Sequence, residues 1–360
     1  MSRLSKREPV AEPAASKPLL ERFGAIAMER RLWRSASAWR PTILSKAIIA
    51  VALATTPLSA LAAAAQQDPT CTVSPAPIHY RTVKADGLDI FYREAGDPKN
   101  PTILLLHGFP SSSHMYRDLI PLLSDRYHLV APDYPGFGRS SQPTPAEYRY
   151  TFDHLYETVD QFTHAVGLGK FAIYIQDYGA PIGLRFALRQ PERVTAIIVQ
   201  NGNAYDVGLS PLWAPIKALW TQDTPETRKG AAAFLTRQTT TFQYSEGVPA
   251  DRVNPDAIDN DQAILDRPGN HELQLDLFAD YQTNLALYPA FHEAFRKHQF
   301  PTLVVWGKND PIFTPAGAGA FEQDLPNAEL HLLDAGHFAL ETQAAEISGY
   351  IREFLPRALK

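Results

Sequence analysis

Residues 171–183 of this 360-residue chain have the sequence FAIYIQDYGAPIG, and they constrain the fold more than any other segment. The first five form a short β-branched and aromatic run, which is typical of a buried strand, and a tight turn is expected at residues 176–180. In a strand–turn–helix of this kind the central residue, Asp177, is lifted above the sheet on a strained backbone. The strand and the following helix nearly touch, so small neighbours are required, and Gly179 and Ala180 provide them. The alternative for Asp177 is an ordinary helix cap.

Short strand-like runs alternate with amphipathic, helix-like segments from about residue 78 onward. Interleaved strands and helices favour an α/β fold with a mostly parallel sheet of eight strands and helices on both faces. The predicted strands are residues 80–84, 88–93, 102–106, 128–131, 171–175, 195–199, 303–306 and 329–333, and the clearest predicted helices are residues 152–166, 180–189 and 339–355.

The alternation breaks at residues 201–298, a stretch rich in Thr, Gln, Asp, Pro and aromatic residues that has helical spacing without clear strands. We expect this stretch to be a helical lid inserted between the sixth and seventh strands. Residues 78–200 and 299–360 then form the two parts of one α/β core.

Composition is typical of soluble globular proteins, with 45% hydrophobic and 20% charged residues, and it excludes a wholly disordered chain. The net charge of −5 hides an asymmetry. Residues 1–46 carry 10 Lys and Arg against 4 Asp and Glu, whereas the remaining residues carry 24 against 35. The chain after residue 46 is acidic enough to repel nucleic acid, so we expect no nucleic-acid partner. Cys71 is the only cysteine, which excludes an intrachain disulfide, a four-cysteine zinc site and an iron–sulfur cluster.

The N-terminal segment has the pattern of a secretory signal peptide. A basic region precedes an uncharged run at residues 47–65, in which a short apolar core and a helix break lead to the small-residue cleavage pattern Ala63-x-Ala65. The alternative is a transmembrane anchor, but the run has few large apolar side chains and Thr-Thr-Pro in its middle. We therefore expect a leader at residues 1–65, a linker at 66–77, and an exported, periplasmic or secreted protein without stable membrane association after cleavage.

A second turn motif lies at residues 104–110, LLLHGFP, where a buried strand ends in a glycine-containing turn. There the backbone N–H of Phe109 can point at the same spot as the N–H of Tyr178. Two such donors form an oxyanion hole, which stabilises negative charge on a reacting oxygen. His107 is expected to hold the loop rather than to take part in catalysis.

Two further motifs place an acid and a histidine after later strands. Residues 304–311, VVWGKNDP, put Asp310 just past a strand end. Residues 334–341, DAGHFALE, put His337 between a strand and the last helix. Taken singly, such residues are more often a loop Asp and a solvated His. Their order after Asp177, at the ends of strands five, seven and eight, is nevertheless that of a nucleophile, an acid and a histidine acting together.

These motifs resemble the α/β-hydrolase superfamily over about residues 78–359, and the order of the three residues matches its nucleophile–acid–histidine plan. Within it they are most similar to the branch with an aspartate nucleophile, which contains epoxide hydrolases and haloalkane dehalogenases. The HGFP turn and the lid segment ADYQTNLALYP favour the epoxide hydrolases. The segments that carry the resemblance are HGFPSSSHMYR (107–117), PDYPGFGRSS (132–141), QDYGAPIG (176–183), WGKNDP (306–311) and AGHFALE (335–341).

An aspartate nucleophile changes the chemistry that this fold supports. A carboxylate attacking an acyl carbon would form a high-energy anhydride, so esterase and peptidase activities are disfavoured. Displacement at an sp³ carbon instead gives an alkyl ester on Asp177. His337, oriented by Asp310, then activates the water that hydrolyses this ester, while the N–H groups of Phe109 and Tyr178 stabilise the oxyanion. The resemblance implies no metal and no cofactor.

The hydrogen-bond donors around the nucleophile discriminate between leaving groups. Dehalogenases of this branch usually carry Trp after the nucleophile, together with either Asn after His-Gly or a lid Trp. This chain has Tyr178 and Phe109 at the first two of these positions, which disfavours a typical halide site. An epoxide opens to an alkoxide that needs an acid, commonly two lid tyrosines. The resemblance places the second of these at Tyr281, and Tyr244 is our candidate for the first.

We therefore expect an enzyme that hydrolyses small, largely apolar epoxides to vicinal diols. A haloalkane dehalogenase with the same ester mechanism and a halide site built from a lid Trp is the first alternative, and a non-catalytic ligand-binding protein on the same fold is the second. The lid side chains that remain are Tyr205 and Tyr288, as further acid candidates, and Trp213 and Trp220, which either line the pocket or donate to a halide.

Overall fold

The computed structural model describes residues 76–360, which form an eight-stranded sheet flanked by helices. The strands are β1 His79–Ala85, β2 Leu88–Ala95, β3 Thr102–Leu106, β4 His128–Pro132, β5 Phe171–Gln176, β6 Val194–Gln200, β7 Thr302–Gly307 and β8 Glu329–Leu333. They lie in the order β1-β2-β4-β3-β5-β6-β7-β8. Strand β2 runs antiparallel to both of its neighbours, and every other neighbouring pair is parallel. The predicted mostly parallel α/β sheet is confirmed.

Eleven α-helices accompany the sheet within residues 76–360. Among these described residues, no helix is both long enough and apolar enough to cross a membrane. The predicted leader at residues 1–65 and Cys71 lie outside the described residues. The helices are α1 Leu119–Leu123, α2 Phe152–Ala165, α3 Gly179–Arg189, α4 Ala214–Thr221, α5 Pro225–Ala231, α6 Arg237–Ser245, α7 Pro255–Leu265, α8 Asn270–Asp280, α9 Gln282–His298, α10 Pro315–Ala320 and α11 Leu340–Ala358.

Both faces of the sheet are buried because alternate side chains of the central strands enter two different apolar clusters. In β3, Leu104 and Leu106 join the cluster formed with α2 and α3, whereas Ile103 and Leu105 join the cluster formed with α1 and α11. Strands covered on both sides need nearly continuous apolar sequences, which is what the central strands have. The prediction of helices on both faces is therefore confirmed.

The chain between β6 and β7 forms six of the helices, α4 to α9. This agrees with an inserted helical segment in an α/β core. Side chains from α8 and α9, among them Phe278 and Tyr288, join the apolar cluster on the α2 and α3 face of the sheet. The division of the chain at residues 201 and 298 stays a prediction.

The sheet topology brings the chemically interesting loops to one place. Strands β3, β5, β6, β7 and β8 are consecutive and parallel, so their carboxyl ends lie along the same edge. The loops that leave these ends carry the polar residues that follow each strand. In open parallel sheets this edge is where ligands bind.

Candidate active site

The turn after β5 has the geometry that its sequence predicts. Asp177 has a φ of +47°, in the left-handed region that a non-glycine residue occupies only at a cost. Helix α3 begins two residues later at Gly179, where an added Cβ would lie 2.0 Å from the carbonyl oxygen of Leu106. The close approach of β3 therefore requires glycine at this position. Tyr178, not Asp177, occupies the N-cap position, and no side chain caps the helix there.

The carboxylate of Asp177 is buried and faces two backbone donors. The N–H of Phe109 donates to Oδ1 at 2.7 Å, and the N–H of Tyr178 also donates to the carboxylate. Burial raises the pKa of Asp177, and the positive charge of His337 together with the two N–H groups limits the rise. The structure thus places the predicted oxyanion-hole donors, Phe109 and Tyr178, on the predicted nucleophile.

His337 is fully buried, and its two ring nitrogens face different carboxylates. Nδ1 lies 2.9 Å from Oδ2 of Asp310, and Nε2 lies 3.8 Å from Oδ2 of Asp177. Burial alone would lower the pKa of His337, but the charge and hydrogen bond of Asp310, with the charge of Asp177, outweigh it and raise the pKa. The structure therefore brings Asp177, Asp310 and His337 together in the predicted order of contact.

Asp310 is held by four hydrogen bonds, which fix the side chain that orients the histidine. Its Oδ1 accepts from the backbone N–H groups of Ile312 at 2.7 Å and Phe313 at 3.1 Å. Its Oδ2 accepts from Nδ2 of Asn201 at 2.7 Å as well as from His337. A carboxylate with all of these partners has little freedom to turn away from the imidazole.

Asn201 was missed by sequence reasoning, although it follows β6 directly. Besides bonding Asp310, its Oδ1 accepts from the N–H of Gly307 at 3.1 Å, and its carbonyl accepts from the N–H of Asp177 at 3.3 Å. It has a φ of +47°, like the nucleophile. A polar residue directly after a buried central strand, at the same edge as the other site residues, was the signal that could have identified it.

Gln176 is a second residue that the sequence did not single out. It is the last residue of β5, and its amide nitrogen lies 3.1 Å from Nε2 of His337. Its amide oxygen is buried and has no hydrogen-bond partner among the described residues. Gln176 therefore contacts the same ring nitrogen that must accept a proton in any general-base step.

Tyr281 lies between α8 and α9 and is almost completely buried on the nucleophile's side of the insertion. Its ring centroid is 4.6 Å from that of Trp213 and 6.1 Å from that of Tyr178. Its hydroxyl is hydrogen-bonded to Tyr288, whose own hydroxyl accepts from Nδ2 of Asn203 at 3.2 Å. Burial raises the pKa of Tyr281 well above its usual value, so the phenol stays protonated.

The structure does not bring Tyr244, the candidate for the first acid, to this group. Its hydroxyl donates to Oδ2 of Asp261 at 2.5 Å, and its ring stacks on Phe338 at 4.1 Å. Tyr244 belongs to the apolar cluster on the α1 and α11 face of the sheet, away from Tyr281. Tyr205 is also bound elsewhere, donating to Asp324 at 2.9 Å. Tyr244 is buried, but Asp261, a buried carboxylate within the insertion, takes its hydroxyl.

The two lid tryptophans, Trp213 and Trp220, pack against the ring of Tyr281, and their indole N–H groups already have acceptors. Nε1 of Trp213 donates to the carbonyl of Ile312 at 3.2 Å, and Nε1 of Trp220 donates to the carbonyl of Phe278 at 2.7 Å. An indole N–H can donate only once, so neither is available for a ligand while these bonds last.

His107 has a structural place beside the site. It is fully buried, and burial lowers its pKa to about 3, so the ring is neutral. Its Nε2 accepts from the N–H of Tyr134 at 3.3 Å, and its ring stacks on that residue at 4.0 Å. Within residues 76–360, no group of three or more His, Cys, Asp or Glu side chains is arranged to hold a metal ion.

Comparison with known proteins agrees with this geometry. The sequence profile of the alpha/beta hydrolase fold family matches residues 101–344. Over 268 residues the chain is 47% identical to an uncharacterized hydrolase of Saccharomyces cerevisiae, an alignment that covers 73% of this chain and 92% of the yeast protein. The family profile spans the turns that carry Phe109, Asp177, Asp310 and His337.

Solved structures share the fold at low sequence identity. A haloalkane dehalogenase from Bradyrhizobium elkani is similar with a TM-score of 0.64 and 22% identity, covering 78% of this chain and 99% of that one. An epoxide hydrolase from Vigna radiata is similar with a TM-score of 0.62 and 21% identity, covering 78% and 98%. Because the family profile spans most of the described residues and the yeast relative is nearly half identical, the chain is a hydrolase that belongs to the alpha/beta hydrolase fold family.

Proposed function

We propose that this hydrolase opens epoxides to vicinal diols through an alkyl ester on Asp177. The observation that supports this most is Tyr281, a buried and protonated phenol whose ring lies 6.1 Å from that of Tyr178, the residue after the nucleophile. An opening epoxide leaves an alkoxide attached to the substrate, and a phenol at this place can give it a proton.

The carboxylate of Asp177 is arranged for attack at carbon by one of its two oxygens. Oδ1 is held by the N–H of Phe109 at 2.7 Å, whereas Oδ2 lies on the side of His337. When Oδ2 forms a bond to an epoxide carbon, the ring C–O bond breaks and its electron pair moves to the epoxide oxygen. That oxygen then takes a proton from a phenol, and the substrate is held as an ester.

Hydrolysis of the ester depends on His337 and Asp310. His337 donates from Nδ1 to Asp310, which leaves Nε2 of the neutral ring as a base 3.8 Å from the nucleophile's carboxylate. Water adds to the ester carbonyl as Nε2 takes its proton, and the oxyanion forms where the N–H groups of Phe109 and Tyr178 already point. General-base assistance of this kind is typically worth about 10²–10⁴ in rate.

The donors around the site favour an epoxide over a halide. A halide needs N–H donors and no proton, but the indole N–H groups of Trp213 and Trp220 are bonded to backbone carbonyls. Dehalogenation by the same ester mechanism would have to break one of these bonds. Epoxide opening needs a protonated phenol, and Tyr281 provides one whose hydroxyl is hydrogen-bonded to that of Tyr288.

The lining of the site supports a small, largely apolar substrate. The ring of Phe109 packs against Phe278 at 5.1 Å, that of Trp213 against Phe313 at 5.4 Å, and that of Phe313 against His337 at 5.8 Å. Rings at these separations are in contact with one another and make the surroundings of the carboxylate apolar, which favours apolar groups and disfavours water there.

The test is the intact mass of a His337→Gln variant, lacking residues 1–65, after incubation with hexene oxide or bromohexane. Removing the base leaves alkylation possible and slows hydrolysis, so an ester should accumulate. We expect a mass increase equal to that of the whole epoxide. An Asp177→Asn change in the same background should abolish it, since the carboxylate is then absent.

Two outcomes would contradict the proposal. An adduct equal to bromohexane minus HBr, with none from the epoxide, would assign the chain to dehalogenation. No adduct from either reagent, with binding that survives the Asp177→Asn change, would indicate a non-catalytic ligand-binding protein on this fold.

We also propose that the protein is exported after removal of residues 1–65. The basic region, the short apolar run and Ala63-x-Ala65 support this. The acidic charge of the remaining residues is compatible with a small-molecule substrate and with no nucleic-acid partner.

A further inference from the structure

The hydroxyl of Tyr178 is buried and has no hydrogen-bond partner among residues 76–360. The whole residue is only 2% exposed. A buried hydroxyl left unpaired loses its hydrogen bonds to water without replacement, so folded proteins rarely keep one without a reason. At a ligand site the reason can be an acceptor that arrives with the ligand.

The surroundings of Tyr178 explain why no side chain in the described part of the chain accepts this proton. Its ring is packed by three phenylalanines, at centroid distances of 4.8 Å for Phe152, 5.7 Å for Phe109 and 6.3 Å for Phe137. None of these side chains has an acceptor of ordinary strength. They fix the ring in place and leave its hydroxyl without a partner.

Both the backbone and the side chain of Tyr178 interact with the nucleophile, Asp177. Its backbone N–H donates to the carboxylate of Asp177, and the negative charge of that carboxylate acts on its phenol. The same charge acts on the phenol of Tyr281, whose ring lies 6.1 Å away. Burial is the larger cause and the charge of Asp177 the smaller cause of a pKa of Tyr178 well above its usual value. The hydroxyl therefore keeps its proton, which it can donate to a ligand.

Of these two phenols, only that of Tyr178 lacks a partner in the described part of the chain. The hydroxyl of Tyr281 is bonded to Tyr288. A bound oxygen atom near the carboxylate of Asp177 would satisfy the hydroxyl of Tyr178 without breaking any existing hydrogen bond.

We propose that the side chain of Tyr178 is a catalytic acid, which donates its proton to the epoxide oxygen as Asp177 attacks, with Tyr281 as the second donor. This rests on the proposed epoxide hydrolysis and adds a residue of the core to its machinery. It fills the role that the sequence predicted for Tyr244 on the lid.

The protons balance over one turnover. Attack forms the Asp177 C–O bond and breaks the ring C–O bond, and the new alkoxide takes the proton of Tyr178 to leave a phenolate. Hydrolysis moves a proton from water to His337 and on to the departing diol oxygen, and it leaves the nucleophile as a carboxylic acid. That acid returns its proton to the phenolate, so the net reaction is epoxide plus water giving diol.

The test compares single-turnover alkylation by hexene oxide in three proteins that share the His337→Gln background. One has no other change, one carries Tyr178→Phe, and one carries Tyr116→Phe. Tyr116 is a matched control, since its hydroxyl is also buried and unpaired among the described residues but lies in the apolar cluster on the other face of the sheet. The backbone N–H groups of the oxyanion hole are unchanged in all three.

We expect Tyr178→Phe to slow ester formation by about 10²-fold or more, in the range of general-acid catalysis, and Tyr116→Phe to leave it unchanged. Tyr178→Phe should not lower the thermal midpoint, because no hydrogen bond is lost. Alkylation within about twofold of the parent rate, or a clear loss of thermal stability, would overturn the assignment of Tyr178. Failure of the parent variant to form any epoxide adduct would instead refute the proposed function.

Discussion

Replacing Asp261 by Asn should change how stability depends on pH. Asp261 lies on α7, is fully buried, and accepts hydrogen bonds from the hydroxyl of Tyr244 at 2.5 Å and from Nδ2 of Asn260 at 3.0 Å. Burial raises its pKa to about 7, with a smaller contribution from the negative charge of Glu341, while hydrogen bonds from Tyr244, Asn260 and Ser111 oppose the rise. The native protein therefore holds this proton at pH values where the unfolded chain has lost it.

The sign and size of the effect follow from linkage. An unfolded Asp has a pKa of about 3.9, so between about pH 4 and pH 7 the native state binds more protons, and stability falls as pH rises through this interval. With a native pKa of about 7, the contribution of Asp261 falls by about 3 kcal/mol between pH 5 and pH 8. An Asn side chain has no such proton, so the variant lacks this part of the pH dependence.

The assay is urea unfolding of the parent and of Asp261→Asn, both lacking residues 1–65, at several pH values from 5 to 8. Relative to the variant, the parent should lose about 3 kcal/mol over this range, which lowers its thermal midpoint by a few °C. A constant offset between the two is expected, because an amide donates where a carboxylate oxygen accepted. Asp256→Asn, an exposed change of the same charge on the same helix, should follow the parent. An offset for Asp261→Asn that does not vary with pH would refute a protonated Asp261.

Two further predictions concern the group formed by Asp177, His337 and Asp310, and the leader predicted at residues 1–65. Asn201→Gly removes one of the four hydrogen bonds on Asp310, and glycine tolerates the positive φ at this position. The change should slow hydrolysis of the ester by about 10-fold and leave alkylation of Asp177 unchanged. Quenched-flow mass measurement separates the two steps. Equal slowing of both steps would mean that Asn201 shapes the pocket instead. The full-length chain, expressed in a secreting host, should yield a mature protein that begins at Gln66, and N-terminal sequencing checks this; an intact N-terminus in the exported fraction would contradict the leader assignment.

The sheet and the core of the site were predictable because local signals and topology agree. Residues 171–183 carry a strand, a turn and a helix start in a spacing that few other structures satisfy, and the structure has that geometry at Asp177. The parallel order of the sheet then requires the ends of β7 and β8 to lie along the same edge, which brings in Asp310 and His337. Each of these residues directly follows or closely follows a strand, so its position is set by the backbone.

The positions of side chains in the insertion were less predictable, because no sheet fixes how its helices are placed. The spacing of residues in a helix does not tell which part of the core a side chain such as that of Tyr244 will meet. Its partner Asp261 is 17 residues further on, in a different helix. Tyr281 sits at the junction of two helices, where a motif and not periodicity identified it. The hydroxyl of Tyr178 was overlooked for the opposite reason, since its backbone N–H already had a predicted role.

Two buried carboxylates show how their surroundings act on the pKa of similar groups within one fold. Burial raises the pKa of both Asp177 and Asp261, and the difference lies in what surrounds them. Asp177 faces two backbone N–H groups and the histidine, which favour the ionised form that attack at carbon requires. Asp261 faces neutral donors and the negative charge of Glu341, and its carboxyl has a pKa of about 7. A nucleophile therefore needs the oxyanion-hole donors before any substrate arrives, because they hold charge on the attacking carboxylate before they stabilise it on the ester.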